Sequence, residues 1–422
     1  MTVFRFRLCA ATGSDRIAAF VVMKLFRSLA LLFAVGAPLA WSGCASAPVR
    51  PAVPYTGNPV IDGLAQREVA PPQDRALWDY RVGAAALRRD QWEIARERLD
   101  SGLMLAAAAG SGPSAEAARS RRLFRSESEK PFIGEPYERV MANFYRGVLY
   151  WADGDPENAR ALFRNGLFID SDVQDKTYAG DWVLLEYLDG FITRQLGGDG
   201  RDARQRAELM ARRPLPPYDP AANVMLLVEY GRGPGKYAAG QHGELLRFRT
   251  PPSQVTGARL QVAGQVVNLP PYDDLHYQAT TRGGRVMDAV LGNKAVFKSG
   301  ANTVGDVALV GAIATHDLGR GEDKNQAALA LAAVGLLSKF ASAATQSSAD
   351  TRMWSNLPQY LSFAALQLAP GEYPATLEFT NTNGQVVPER TQHFVITVPA
   401  PGAGIADRAP QAVVLFKSEV PN

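Results

Sequence analysis

Apolar residues recur at steps of three and four through residues 137–170, the spacing that lines one face of an α-helix. Phe144, Val148 and Trp151 make one such stripe, and Ala159, Phe163 and Gly166/Leu167 make another. Between them Gly154 can supply a left-handed turn, Asp155 an N-cap and Pro156 a first helical residue. Glu157 then sits near the positive end of the helix dipole. The pattern predicts two short helices folded back on each other about 152–156.

The same pattern occurs earlier. Residues 78–103 predict a helix, a turn at 88–91 and a second helix with Trp92, Ala95, Leu99 and Leu103 on one face. Laid over the first hairpin at an offset of 64, Gly83 falls on Gly147, Ala86 on Tyr150, Ala95 on Ala159, Leu99 on Phe163 and Gly102 on Gly166. Small and aromatic residues in this register follow the tetratricopeptide pattern of period about 34. The departure is at the first aromatic, where Asp79 and Asn143 stand, with Tyr80 and Phe144 one place later. A looser hairpin is predicted over 182–211, turning at 197–200, with Ala203, Ala207 and Met210 on one face. Residues 108–130, rich in Ser, Ala and Arg, read as a loop or ragged helix. Stacked hairpins leave a concave surface of the kind that binds an extended peptide or a partner's tail. The alternative is a spacer between membrane and second domain.

After 212–220 (RRPLPPYDP), a linker signal, the periodicity shortens to that of strands. Runs at 224–230, 244–249, 258–267, 361–368, 373–380, 393–398 and 412–416 predict a small β-sandwich or sheet. Asn383-Gly384 reads as a hairpin turn and 369–373 as a tight connection. Two apolar segments, 306–315 and 327–344, are inserted among the strands. The second is apolar nearly all round, is interrupted by Lys339, and is short for a membrane span. It predicts a helix packed on the sheet; a membrane- or pore-inserting segment is the competing reading. The expected fold class is therefore α+β, tetratricopeptide-like helical hairpins followed by a C-terminal sandwich or sheet with an inserted apolar helix. The expected divisions are 1–22, 23–43, 44–75, 76–215 and 216–422.

Residues 1–22 fit nothing that follows and read as a wrongly chosen start. From Met23, Lys24 and Arg27 form a basic region, 29–37 an apolar one, and Trp41-Ser42-Gly43 leads to Cys44. This resembles a bacterial lipoprotein signal over 23–43, whose cysteine is lipidated and becomes the new N-terminus. Trp41 departs from it, since an aliphatic residue is usual there. By the same resemblance Ala45, rather than Asp, after the cysteine implies the outer membrane. Residues 44–75, with Pro48, Pro51, Pro54, Pro59, Pro71 and Pro72, read as a tether. Cys9 and Cys44 are the two cysteines, so the expected mature chain has no free thiol and no disulfide. Arg5, Arg7, Arg16, Lys24 and Arg27 against Asp15 leave +4 on residues 1–43, while the whole chain carries +3. The remainder is about −1, which argues against nucleic acid as a partner.

Candidate chemistry is sparse. The run 230–236 (YGRGPGK) invites a phosphate-loop reading, but Tyr230 stands where the first Gly belongs and Tyr237 follows Lys236, so a strand-ending turn is expected. Asp273-Asp274-Leu275-His276 could put ligands near one metal; His242, His316 and His393 are scattered, and a solvated loop is expected. No nucleophile elbow is visible and no thiol is available, so no catalytic residue, metal or cofactor is assigned. Asp350, Arg352 and Trp354 stand out for mixing a capping acid, a bidentate cation and an aromatic anchor. They read as a partner-binding element or a structural joint.

The segments GEPYERVMANFYRGVLYWADGD (134–155), VEYGRGP (228–234), ADTRMWSNLP (349–358) and LAPGEY (368–373) resemble a family of bacterial outer-membrane lipoproteins of unassigned activity. The resemblance spans about residues 76–400 and implies a tetratricopeptide-like N-terminal half joined to an αβ C-terminal half. It carries over no catalytic residue. The expected function is a non-enzymatic, periplasm-facing scaffold that is lipid-anchored at Cys44 and binds another envelope protein. The alternatives are an enzyme on cell-wall or surface polymer and a structural subunit of a secretion or surface apparatus.

Overall fold

The computed structural model describes residues 53–110, 130–171, 181–217, 219, 221–241, 243–281, 349–400 and 412–419. Cys44 with the leader, the apolar segments 306–315 and 327–344, and most of 108–130 lie outside the described residues. The architecture is mixed α+β, with helices in the N-terminal half and sheets in the C-terminal half.

Seven helices of the first half can be followed. Helix α1 (Pro59–Val69) lies where a tether was expected over 44–75. Pro59 starts it instead of breaking it, because the first helical position needs no amide donor, and Asn58 caps it by accepting from Val60 N at 3.0 Å. Gly63 lets it approach α2, since a Cβ there would lie 2.6 Å from Val82 Cγ2.

Three helical pairs follow: α2 (Arg75–Leu87) with α3 (Trp92–Gly110), α4 (Pro136–Ala152) with α5 (Pro156–Asp170), and α6 (Val183–Gln195) with α7 (Arg201–Met210). The 64-residue offset holds in the geometry. Gln91 N donates to Ala86 O at 2.9 Å and Asp155 N to Tyr150 O at 2.9 Å. Asp90 and Gly154 both take left-handed backbone at those turns, with φ of 55° and 82°. A Cβ at Gly83 would sit 2.7 Å from Leu99 Cγ, and one at Gly147 would sit 2.5 Å from Phe163 Cε1. In these two pairs a glycine gives way to the large side chain opposite, and Leu99 and Phe163 are fully buried.

The second half contains two four-stranded sheets. One has the order β10 (Val413–Ser418), β1 (Val224–Tyr230), β7 (Tyr360–Leu366), β6 (Asp273–Asp274), with β10 parallel to β1 and the other pairs antiparallel. The other is fully antiparallel: β5 (Gln265–Leu269), β4 (Gly257–Val262), β8 (Gly371–Thr380), β9 (Gln392–Val398). Strands β2 (Gly235–Ala239) and β3 (Leu245–Arg249) form a separate hairpin. Helix α8 (Leu275–Thr280) follows β6 directly.

One detail departs from expectation. The single run predicted over 258–267 is two strands, β4 and β5, joined by Ala263 and Gly264, both at positive φ (52° and 74°) as a tight primed turn needs. The tight connection read over 369–373 is residues 367–370, and it carries the chain from β7 in the first sheet to β8 in the second.

Strand β1 explains the layering. All seven of its residues are buried, because alternate residues enter different cores. Val224, Leu226, Val228 and Tyr230 pack with Leu260, Leu377, Phe379 and Ile396 of the second sheet. Met225 and Leu227 join a core that includes Tyr145, Leu149, Phe163 and Tyr187 of the helices. The first sheet is thus covered by helices on one face and by the second sheet on the other. Residues 211–217, where the expected boundary at 215/216 falls, connect halves that share this core.

That arrangement corrects the expected docking groove. The first helices of the pairs, α2, α4 and α6, are buried along almost their whole length. Phe416 of β10 meets Tyr145 of α4 edge-on at 5.8 Å, and Phe363 of β7 lies 4.4 Å from Tyr187 of α6. The inner face of the helical array already holds this chain's own sheet. Among the described residues no helix is long and apolar enough to cross a membrane.

Candidate functional site

Asp350, Arg352 and Trp354 come together where the helices meet the sheet. Asp350 accepts from Arg352 N at 3.0 Å, which fixes the turn, and receives its guanidinium through both oxygens. The same guanidinium reaches Asp74 Oδ1, just before α2, at 2.8 Å and Lys130 O at 2.8 Å. Trp354 is buried, stacked on Tyr80 of α2 at 4.8 Å and edge-on to Tyr145 of α4 at 5.7 Å. Trp354 therefore packs on this chain's own helices, and Arg352, held by Asp350, ties the turn to Asp74 and Lys130.

Beneath them is a buried ion pair. Glu138, in the first turn of α4, accepts from Glu135 N (2.7 Å), Trp354 N (2.8 Å) and Lys236 Nζ (2.6 Å). Lys236 Nζ also donates to Arg352 O at 3.0 Å. Burying these charges costs several kcal/mol each, and here both are met by partners. The lysine of the rejected phosphate loop thus has a structural partner. Its glycines serve the turn: Gly231 has φ of 77°, and a Cβ at Gly233 would lie 2.7 Å from Leu357 O.

A second buried cluster lies farther along β1. Glu229 is ion-paired to Arg88 at the end of α2 and accepts from Tyr145 Oη and Ser418 Oγ, each at 2.6 Å. Burial, with Glu229 beside it, pushes the Tyr145 phenol well above its usual range, so it stays neutral and donates. Neither ion pair carried a sequence signal, since the partners lie 98 and 141 residues apart.

Asp273 is a correction. Instead of lying in a solvated loop it is buried, and it accepts from Val183 N and Leu184 N at 2.9 Å each. It caps α6 from the sheet, in place of Trp182, which has no capping side chain. Burial pushes its carboxyl up to about 7; the two amides oppose this, and Asp181 and Asp170 add to it. Asp274 caps α8 through His276 N at 2.9 Å. Among the described residues no group of three His, Cys, Asp or Glu could hold a metal.

Beside Asp273 an open cleft of about 540 Å³ runs between α6, α7, the 212–213 connection and α8. Asp181, Asp274, Arg212, Arg213, Leu209 and Tyr277 are among its walls.

The chain matches no known family, no curated protein and no solved structure.

Proposed function

We propose that the chain is a lipid-anchored outer-membrane lipoprotein on the periplasmic face, acting as a non-enzymatic scaffold for another envelope protein. Its hairpins are read as tetratricopeptide-like, supported by the turn geometry and glycine contacts that repeat at the 64-residue offset. Its two sheets are read as a sandwich, supported by the core between them. Since the inner face of the array is filled, the partner is assigned to the outer helices. One observation carries this. Met104 of α3 and Phe168 of α5, related by the same offset, are 68% and 73% exposed. Large apolar side chains left in water at matching positions of successive hairpins mark an interaction surface.

The test is capture of the intact lipoprotein from detergent-solubilised envelopes. A stoichiometric partner should appear with the wild type and be lost in Phe168→Asp and Met104→Asp, whose stability should change by no more than about 0.5 kcal/mol. A wild-type monomer, or a partner retained by both variants, contradicts the proposal. Cys44→Ser should separately abolish lipid labelling and release the chain from the membrane fraction.

A further inference from the structure

The cleft beside Asp273 brings Arg212 and Arg213 to the same space as Asp274. The Arg212 guanidinium lies over the Tyr277 ring, 4.3 Å from its centroid. Asp274 turns Oδ1 to the start of α8, accepting from His276 N and Tyr277 N at 2.9 and 3.4 Å. Among the described residues neither Arg212, Arg213 nor Asp274 forms an ion pair. Arg212 and Arg213 are exposed, and the Asp274 carboxylate is engaged with the start of α8 instead of with either of them. The apolar part is equally unusual: Leu209, on the same cleft, is 78% exposed. Cleft volumes of roughly 300–1,000 Å³ with a few convergent polar groups are typical of small-ligand sites, and this one measures about 540 Å³.

We infer that this cleft binds a small zwitterion with an apolar body, of the amino-acid or dipeptide class. Arg212 and Arg213 meet its carboxylate, Asp274 meets its ammonium, and Leu209 covers its side chain. A guanidinium offers a planar fork matched to a carboxylate, and Asp274 keeps its second oxygen for an ammonium while Oδ1 caps the helix. Asp273 is excluded from contact chemistry, both its oxygens being taken by α6 amides.

Titration calorimetry of the full chain with the dipeptide alanyl-phenylalanine tests this, with its C-terminal amide and its N-acetyl form as controls. The dipeptide should bind saturably, and each blocked form at least about tenfold more weakly, equivalent to about 1.4 kcal/mol. Asp274→Asn, which preserves helix capping, should bind the dipeptide and its N-acetyl form equally. Arg212→Ala combined with Arg213→Ala, at exposed positions, should bind the dipeptide and its amide equally. No saturable binding by about 10 mM, equal binding of all three compounds to the wild type, or preference for the dipeptide over its amide retained in the arginine double variant would overturn the inference.

Discussion

Helices α2, α4 and α6 bury nearly every side chain, charges included, whereas α3, α5 and α7 bury one stripe and leave the rest in water. Both sets belong to the same hairpins and carry similar local signals. What separates them is the sheet: the first helices lie under β1, β7 and β10, and among the described residues no layer covers the outer side of the second helices. Amphipathic spacing therefore tells which residues join two helices of a pair, but not whether a third layer covers the opposite face. Polar residues on the inner helices then become obligatory partners. Glu138 finds Lys236, Arg88 finds Glu229, and the first turn of α6 finds Asp273.

The inner helices depend most on Glu138. Glu138→Ala would leave Lys236 Nζ without its carboxylate and Trp354 N without an acceptor inside the core. We expect a loss of about 4–5 kcal/mol in denaturant unfolding. A loss below about 1 kcal/mol would mean that the joint is solvated.

Packing within a hairpin comes next. Phe163→Ala empties the space that Gly147 leaves for the ring, at a cost of about 3–4 kcal/mol. An equal effect of truncating exposed Phe168 would dissolve the distinction between inner and outer positions.

Asp273 makes the burial of α6 sensitive to pH. Its folded-state value, about 7, lies above the ordinary 3.8, so the folded chain holds this proton more tightly than the unfolded chain. The stabilisation is complete below about pH 4 and is lost as pH rises through about 7, by on the order of 4 kcal/mol. Asp273→Asn should flatten that part of the stability–pH curve. It should also cost about 1–3 kcal/mol at low pH, since one α6 amide would face an NH₂ group. An unchanged slope in the variant would assign the pH dependence to other groups.

Local periodicity reads the hairpins well, because their contacts lie within about thirty residues and the offset of 64 repeats the solution. It reads most strands too, including β1, whose unbroken apolar run reflects burial on both faces. It fails at Ala263-Gly264, where alanine takes a left-handed turn usually held by Asn or Gly. It fails again at Pro59, read as tether although proline suits a helix start. The candidate site was the least legible. Asp350, Arg352 and Trp354 could be singled out by type, but their contacts with Asp74, Glu138 and Tyr80 span more than 200 residues. Asp273 next to Asp274 looks like a surface pair until the backbone of α6 is brought against it.

The central claim is that the helical array and the sheet inside it form one cooperative body. Native-state hydrogen exchange of the full chain, read at the amides of α4 and of β1 in wild type and Glu138→Ala, tests it most directly. The account predicts one opening free energy shared by both elements, falling by the same amount in the variant. Exchange of α4 at a lower free energy than β1, with β1 unmoved by the substitution, would contradict it.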